Sequence, residues 1–183
     1  MDKALVLALV LVACPGFTFA QGAGGKRSSL GQSKASDGQM ARYREEAKVA
    51  FDREMAREKA GDCKQADTTF AIVKCLGAEN DTTSANYVAY AGALRSLLGL
   101  SGEDGESQSF GLSGKPLTSK ELVKDFEATE AAWQKYRTAQ CSAAFNLFRG
   151  GSVATPQAGF CELMLVRSHM REVDYVYSYL LHQ

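Results

Sequence analysis

The stretch that decides the fold is Thr118–Phe148, TSKELVKDFEATEAAWQKYRTAQCSAAFNLF. Its first four residues form a capping box: the Thr118 hydroxyl can accept from the amide three residues on, and Glu121 can reach back to the Thr118 amide. Behind it, Leu122, Phe126, Thr129, Trp133, Tyr136, Cys141, Ala144, Phe145 and Phe148 recur at steps near 3.6 residues, the period of one helix face. A helix to about Phe148 is expected. Arg149-Gly150-Gly151-Ser152 stops it. Thr155 before Pro156 then reads as a cap followed by a favoured first-turn residue. The helix beyond carries Phe160, Leu163, Met164, Met170, Val173, Tyr177, Leu180 and Leu181 to the C-terminus. Two long helices joined by a short turn lie antiparallel, and shorter helices cover their groove.

Working back toward the N-terminus, residues 99–117 are a Gly/Ser/acid stretch too long for an ordinary helix connection, which suggests either a mobile loop or a binding feature. Gly114-Lys115 does not make a phosphate loop. Ser109 stands where the first glycine belongs, and Pro116 replaces the hydroxyl that would hold magnesium. Before this loop, a helix capped by Thr82 or Thr83 is expected to run to about Leu98, with Tyr87, Tyr90, Ala91, Leu94 and Leu98 on one face. Gly77–Asp81 should separate it from a short helix capped by Asp67 or Thr68. Residues 39–60 are rich in Ala, Arg, Glu, Lys and Met, with a narrow apolar stripe. They read as a peripheral amphipathic helix. Residues 21–38 (QGAGGKRSSLGQSKASDG) read as a flexible Gly/Ser linker.

Residues 1–20 have the three parts of a secretory signal: a short charged start, the apolar run Ala4–Ala13, and a small-residue exit at Ala20. The apolar run is about half the ~20 residues that span a bilayer, and no later segment approaches that length. Leu11-Val12-Ala13-Cys14 offers an alternative, a lipobox that would anchor the chain by a diacylated Cys14. Either route exports the protein, to the periplasm or medium in one case and to an anchored place in the cell envelope in the other. The chain is formally neutral, which gives no support to nucleic-acid binding.

With Cys14 set aside, Cys63, Cys75, Cys141 and Cys161 are an even set in an exported chain, the setting of a disulfide framework. No C-x-x-C occurs, so the spacing argues against zinc. Inside one helix Cys63 and Cys75 would be about 18 Å apart, beyond disulfide reach. From the lead-in, however, Cys63 can fold back along the helix. Cys141 and Cys161 flank the turn between the antiparallel helices. The expected pairs are Cys63–Cys75 and Cys141–Cys161, with a crossed pairing as the alternative. The fold expectation is an all-α bundle over residues 61–183 stapled by two disulfides.

Cys63-x-x-Ala66-x-x-Thr69 with Cys75, then Trp133-x-x-Tyr136-Arg137-x-x-x-Cys141, Gly150-Gly151-Ser152 and Cys161, resemble the LprI-type lysozyme inhibitor family of small bacterial exported helical domains. The resemblance covers roughly residues 62–180. This chain has Glu130 where that family usually has Gln, and Thr138 where it often has Asp. Arg167 and Arg171 are the candidates for its arginine after the last cysteine. The resemblance implies a protein partner, with a lysozyme as its named case, and no cofactor.

The residues themselves suggest plainer roles. Trp133 and Tyr136 share the core stripe. Arg137 lies one turn beyond Trp133, where its stem can pack on the ring and its head can find a carboxylate. His169, near Arg167 and Arg171, reads as part of a solvated face. Ser152 has no G-x-S-x-G elbow and no acid–His pair to serve. No catalytic residue is nominated. The expected function is non-catalytic: an envelope binding protein or adaptor, with the 102–117 loop and the Gly150–Thr155 turn as contact candidates.

Overall fold

The computed structural model describes residues 29–101 and 117–183, with side chains from residue 36 onward. The signal segment, Cys14 and all but the edges of the 99–117 stretch lie outside these residues. Four long helices account for nearly all of what is described: α1 Ser29–Ala60, α2 Thr69–Leu100, α3 Ser119–Leu147 and α4 Ala154–Val176, with the single turn α5 Ser178–Leu181. Among the described residues there is no strand, and no helix is long and apolar enough to cross a membrane. The all-α expectation holds.

The helices run up, down, up and down, so α2 and α4 are parallel and α1 and α3 oppose them. The cross-contacts set this direction: Asn80 meets Gly159 and Tyr87 meets His169, both advancing together along α2 and α4. α2 packs on all three other long helices. Its fully buried Tyr90, Leu94 and Leu97 meet Val166 and Met170 of α4, Ala47 and Ala50 of α1, and Phe126 of α3. Full burial of each large apolar side chain stabilises by about 1.5–3 kcal/mol before entropy is counted.

The capping box of α3 forms as its sequence implies. The Glu121 amide donates to Thr118 Oγ1 at 3.3 Å, and the Thr118 amide donates to Glu121 Oε2 at 2.8 Å. At α2 the Ala71 amide donates to Thr68 Oγ1 at 3.2 Å, so Thr68 is the cap. The two disulfides join Cys63 to Cys75 and Cys141 to Cys161, with Cα atoms 5.8 and 5.5 Å apart. Cys63 folds back through a left-handed backbone (φ 55°), the fold-back that its pairing requires.

Several expectations fail, each for a visible reason. α1 begins at Ser29, inside the stretch read as a linker, because a docked helix propagates outward at little cost once nucleated. It is not peripheral: Ala47, Ala50 and Glu54 are buried against α2. The small residues that made its stripe look weak let the two helices approach closely. Gly77–Asp81 do not break α2. Asn80 Nδ2 instead donates to Gly159 O on α4 at 3.1 Å, and Glu79 pairs with Arg57 on α1. Thr82 and Thr83 are interior positions, not caps. Nor does Gly99 end the helix, which runs on to Leu100. Thr155 does not cap α4 either. Val153 occupies that place with no side-chain bond, and Pro156 falls in the first turn, where its missing N–H is harmless.

Candidate functional site

At one end of the bundle, Cys141 and Cys161 tie α3 to α4 around the Gly150–Thr155 turn. Gly150 takes φ +88°, a left-handed conformation that favours glycine, and Gly151 N donates to Phe148 O at 2.9 Å. A Cβ at Gly159 would stand 3.2 Å from Leu76, so glycine there lets α4 lie close on α2. The turn is thus held by a covalent bridge, a glycine conformation and a close helix contact. Its surface is apolar: Phe145, Leu147, Phe148, Val153 and Phe160 are exposed, with Met164 one turn further along α4. Arg149 and Ser152 are also exposed at this tip. A shallow groove of about 340 Å³ runs beside the disulfide, lined by Thr138, Ser142, Phe145, Asn146, Ala158 and Glu162, with Cys141 at its floor.

The Trp133 motif supports this hairpin from behind. The half-buried Trp133 ring stacks on His169 at 4.1 Å with planes 8° apart, and Tyr87 packs against it at 5.1 Å. The Arg137 guanidinium lies 5.0 Å from the Trp133 centroid and 3.1 Å from Glu162 on α4. The clamp expected of Arg137 is therefore present. Tyr136 departs from expectation: it is 54% exposed and faces outward rather than into the core.

His169 departs further, being only 4% exposed. Its Nε2 is 2.8 Å from Glu130 Oε1, while the Tyr87 hydroxyl donates to the other oxygen of the same carboxylate. Glu130 is therefore the hub joining α2, α3 and α4. The charges flanking His169 hid its register with buried Val166, Met170 and Val173.

A second polar cluster lies deeper, around the fully buried Glu54. Its Oε1 accepts from Thr83 Oγ1 and from Arg167 Nε, each at 2.7 Å, and its Oε2 accepts from Asn86 Nδ2 at 2.7 Å. Arg167 also grips Asp62 with both terminal nitrogens, at 2.5 and 2.9 Å. The bidentate bond to Asp62 and then the bond to Glu54 hold the guanidinium pKa above its ordinary value, against the opposite pull of burial. Both Glu54 oxygens are bonded, and Arg57 Nε approaches Oε2 to 3.4 Å, so the cluster fixes α1, the 61–68 loop, α2 and α4 relative to one another. Sequence reasoning missed the roles of Glu54 and Asp62 and read Thr83 only as a helix cap. The signal was faint: a glutamate inside the apolar stripe of α1, two turns after Ala47.

Among the described residues, no group of three or more His, Cys, Asp or Glu side chains is arranged to hold a metal ion. No protein-family model, curated protein or solved structure matches the chain.

Proposed function

We propose that this is an exported, non-catalytic binding protein of the bacterial envelope that presents the stapled α3–α4 turn to a protein partner, with inhibition of lysozyme as its most concrete form. The observation that carries the reading is the turn itself: large apolar side chains held in the open on a scaffold with little freedom left to lose. Arg149, exposed among them, pairs with no carboxylate among the described residues. Lysozymes cut glycan between two carboxylates in an open cleft. An apolar wedge carrying one cation suits such a cleft in both shape and charge. The signal-like segment 1–20 and the two disulfides support export. The likeness of Trp133, Tyr136, Arg137, Cys141, Gly150, Gly151, Ser152 and Cys161 to the LprI-type family supports the partner. In this structure most of those residues build the hairpin rather than lie at its tip.

The test is lysozyme turbidity on cell walls, with oxidised residues 21–183 titrated in. Dose-dependent protection, lost on reduction and alkylation and lost in Arg149→Glu at unchanged helicity, is expected. No protection against animal-type or bacterial-type lysozymes sinks the lysozyme reading. The same turn would then belong to a non-catalytic adaptor for another envelope protein.

A further inference from the structure

A second surface, remote from the hairpin tip, lies uncovered by the described residues between α1 and α2. It is a groove of about 440 Å³ whose α1 wall carries Glu46, Val49 and Arg53 and whose α2 wall carries Val88, Gly92 and Ser96. In a chain with 23% charged residues, positions 82–94 of α2 contain no Asp, Glu, Lys or Arg. The outward face of this run is small and neutral, while Val88 and Val49 stand up from the two walls, 69% and 42% exposed.

The charges on the α1 wall select the occupant. Glu46 and Arg53 are seven residues apart, two helical turns, so they share one face about 10 Å apart with Val49 and Ala50 between them. A twofold-symmetric contact is self-complementary: whatever one copy presents, the other presents in reverse. If two copies cross antiparallel at Val49 and Ala50, Glu46 of each falls opposite Arg53 of the other. The Val49 and Val88 side chains of each copy then meet the small-residue floor of its mate. Neither charge is strongly engaged within its own chain. Glu46 lies 3.4 Å from Arg42 Nε with both side chains more than half exposed, and Arg53 reaches Asn86 Oδ1 at 3.5 Å. By contrast Lys48 and Asp52, the neighbouring pair on α1, already satisfy each other.

We propose that the α1–α2 groove is a homodimer interface, closed by a second copy of this chain about a twofold axis and keyed by reciprocal Glu46–Arg53 pairs. The assignment stands apart from the partner reading of the hairpin turn. In the dimer the two turns point in opposite directions, so both stay accessible.

Sedimentation velocity on the oxidised mature chain over a concentration series tests it. The wild type dimerises in the micromolar range. Glu46→Arg and Arg53→Glu each set like charges face to face twice, once per symmetry-related pair, and weaken the dimer by at least roughly tenfold. The double reversal Glu46→Arg/Arg53→Glu restores it, and circular dichroism confirms that all three variants are folded. A wild type monomeric to several hundred micromolar overturns the proposal. So does a dimer indifferent to the single reversals, or one that the double reversal fails to restore. Loss of lysozyme protection in a folded, monomeric Val88→Arg variant of a monomeric wild type would assign the groove to that partner, which also overturns it.

Discussion

The indole of Trp133 lies flat on the imidazole of His169, 4.1 Å away and 8° from parallel, and His169 is in turn bonded to Glu130 at 2.8 Å. Aromatic, imidazole and carboxylate thereby join α3 to α4 without a covalent bond. Trp133 is the chain's single tryptophan, so its emission reports this contact directly. Trp133→Ala should destabilise by about 3 kcal/mol through lost packing. His169→Ala should change the native emission and cost about 2 kcal/mol, since it leaves Glu130 one partner short. Urea titrations followed by circular dichroism check both, with Trp133 fluorescence added for His169→Ala. Native emission unchanged in His169→Ala would mean that the stack does not persist in solution.

Arg167 is the partner whose loss leaves the most behind. Arg167→Ala strands the buried Glu54 carboxylate and should cost about 3–5 kcal/mol. Making the Glu54→Gln change in the same background should return part of that loss, because the stranded charge is gone. A double-mutant cycle measured by urea unfolding decides the matter. Simple additivity of the two changes would show that Glu54 and Arg167 are not coupled.

Tyr90 gives an alkaline prediction. Its hydroxyl is buried without a hydrogen-bond partner in the described structure, and burial first, then the Asp174 charge, push its pKa well above that of a free phenol. A group whose folded pKa is raised contributes stability that is fully present below its unfolded pKa. That stability is lost as pH rises beyond about 10, where the unfolded chain begins to ionise. Tyr90→Phe should therefore be close to neutral at pH 7 and should flatten the alkaline decline. Melting temperatures between pH 8 and 11 for both proteins provide the check, and parallel curves would count against this account.

Glu121 gives the opposite sign at low pH. The Thr118 amide first, then the Thr118 hydroxyl, bonds to its carboxylate and holds the pKa below the ordinary value. The cap's contribution is present above the unfolded carboxylate pKa, about 4.3, and fades as pH falls through the lower folded value. The Thr118 amide proton, followed by NMR through an acid titration, should move with that depressed midpoint. Separately, Thr118→Ala should cost about 1 kcal/mol. A Thr118 amide shift titrating at the ordinary glutamate pKa would contradict the capping box.

Removing the Cys141–Cys161 bridge as a Ser/Ser pair should lower stability by about 3 kcal/mol in the chain-entropy account. The apolar tip should also bind less tightly, since its geometry is no longer fixed before contact. Calorimetry of the variant against the parent measures the first effect, and the turbidity assay measures the second. Retained protection at reduced stability would separate recognition from the staple.

What could be read from sequence was what depends on neighbours along the chain. Thr118 and Glu121 are three residues apart and cap each other, so α3 announced its own start. The cysteine pairs close short loops, so helix geometry was enough to join them. What could not be read depends on other helices. Gly77, Asn80 and Asp81 are breakers by local preference, and they stay helical because Asn80 is bonded to Gly159, seventy-nine residues away. Arg167 and His169 looked like a solvated face because their carboxylates, Glu54, Asp62 and Glu130, lie on other elements. The hairpin turn was legible as a candidate. Its apolar crown was not, because helical period alone could not show that Phe145 and Phe148 stay exposed at the tip.

Both disulfides lie at the same end of the bundle, since Cys75 and Cys161 each fall near the start of one of the two parallel helices. The opposite end, where α1 enters and α2 finishes, is held by packing and by bonds such as Arg44 Nε to Leu180 O at 2.8 Å. The molecule is therefore a rod with one hard end and one compliant end. Amide protons near the cysteines should exchange only on global opening, whereas those near Leu100 and Leu180 should exchange through fraying. Fluctuation is expected at the end away from the crown, so under the proposed reading a partner would meet a surface already ordered before contact.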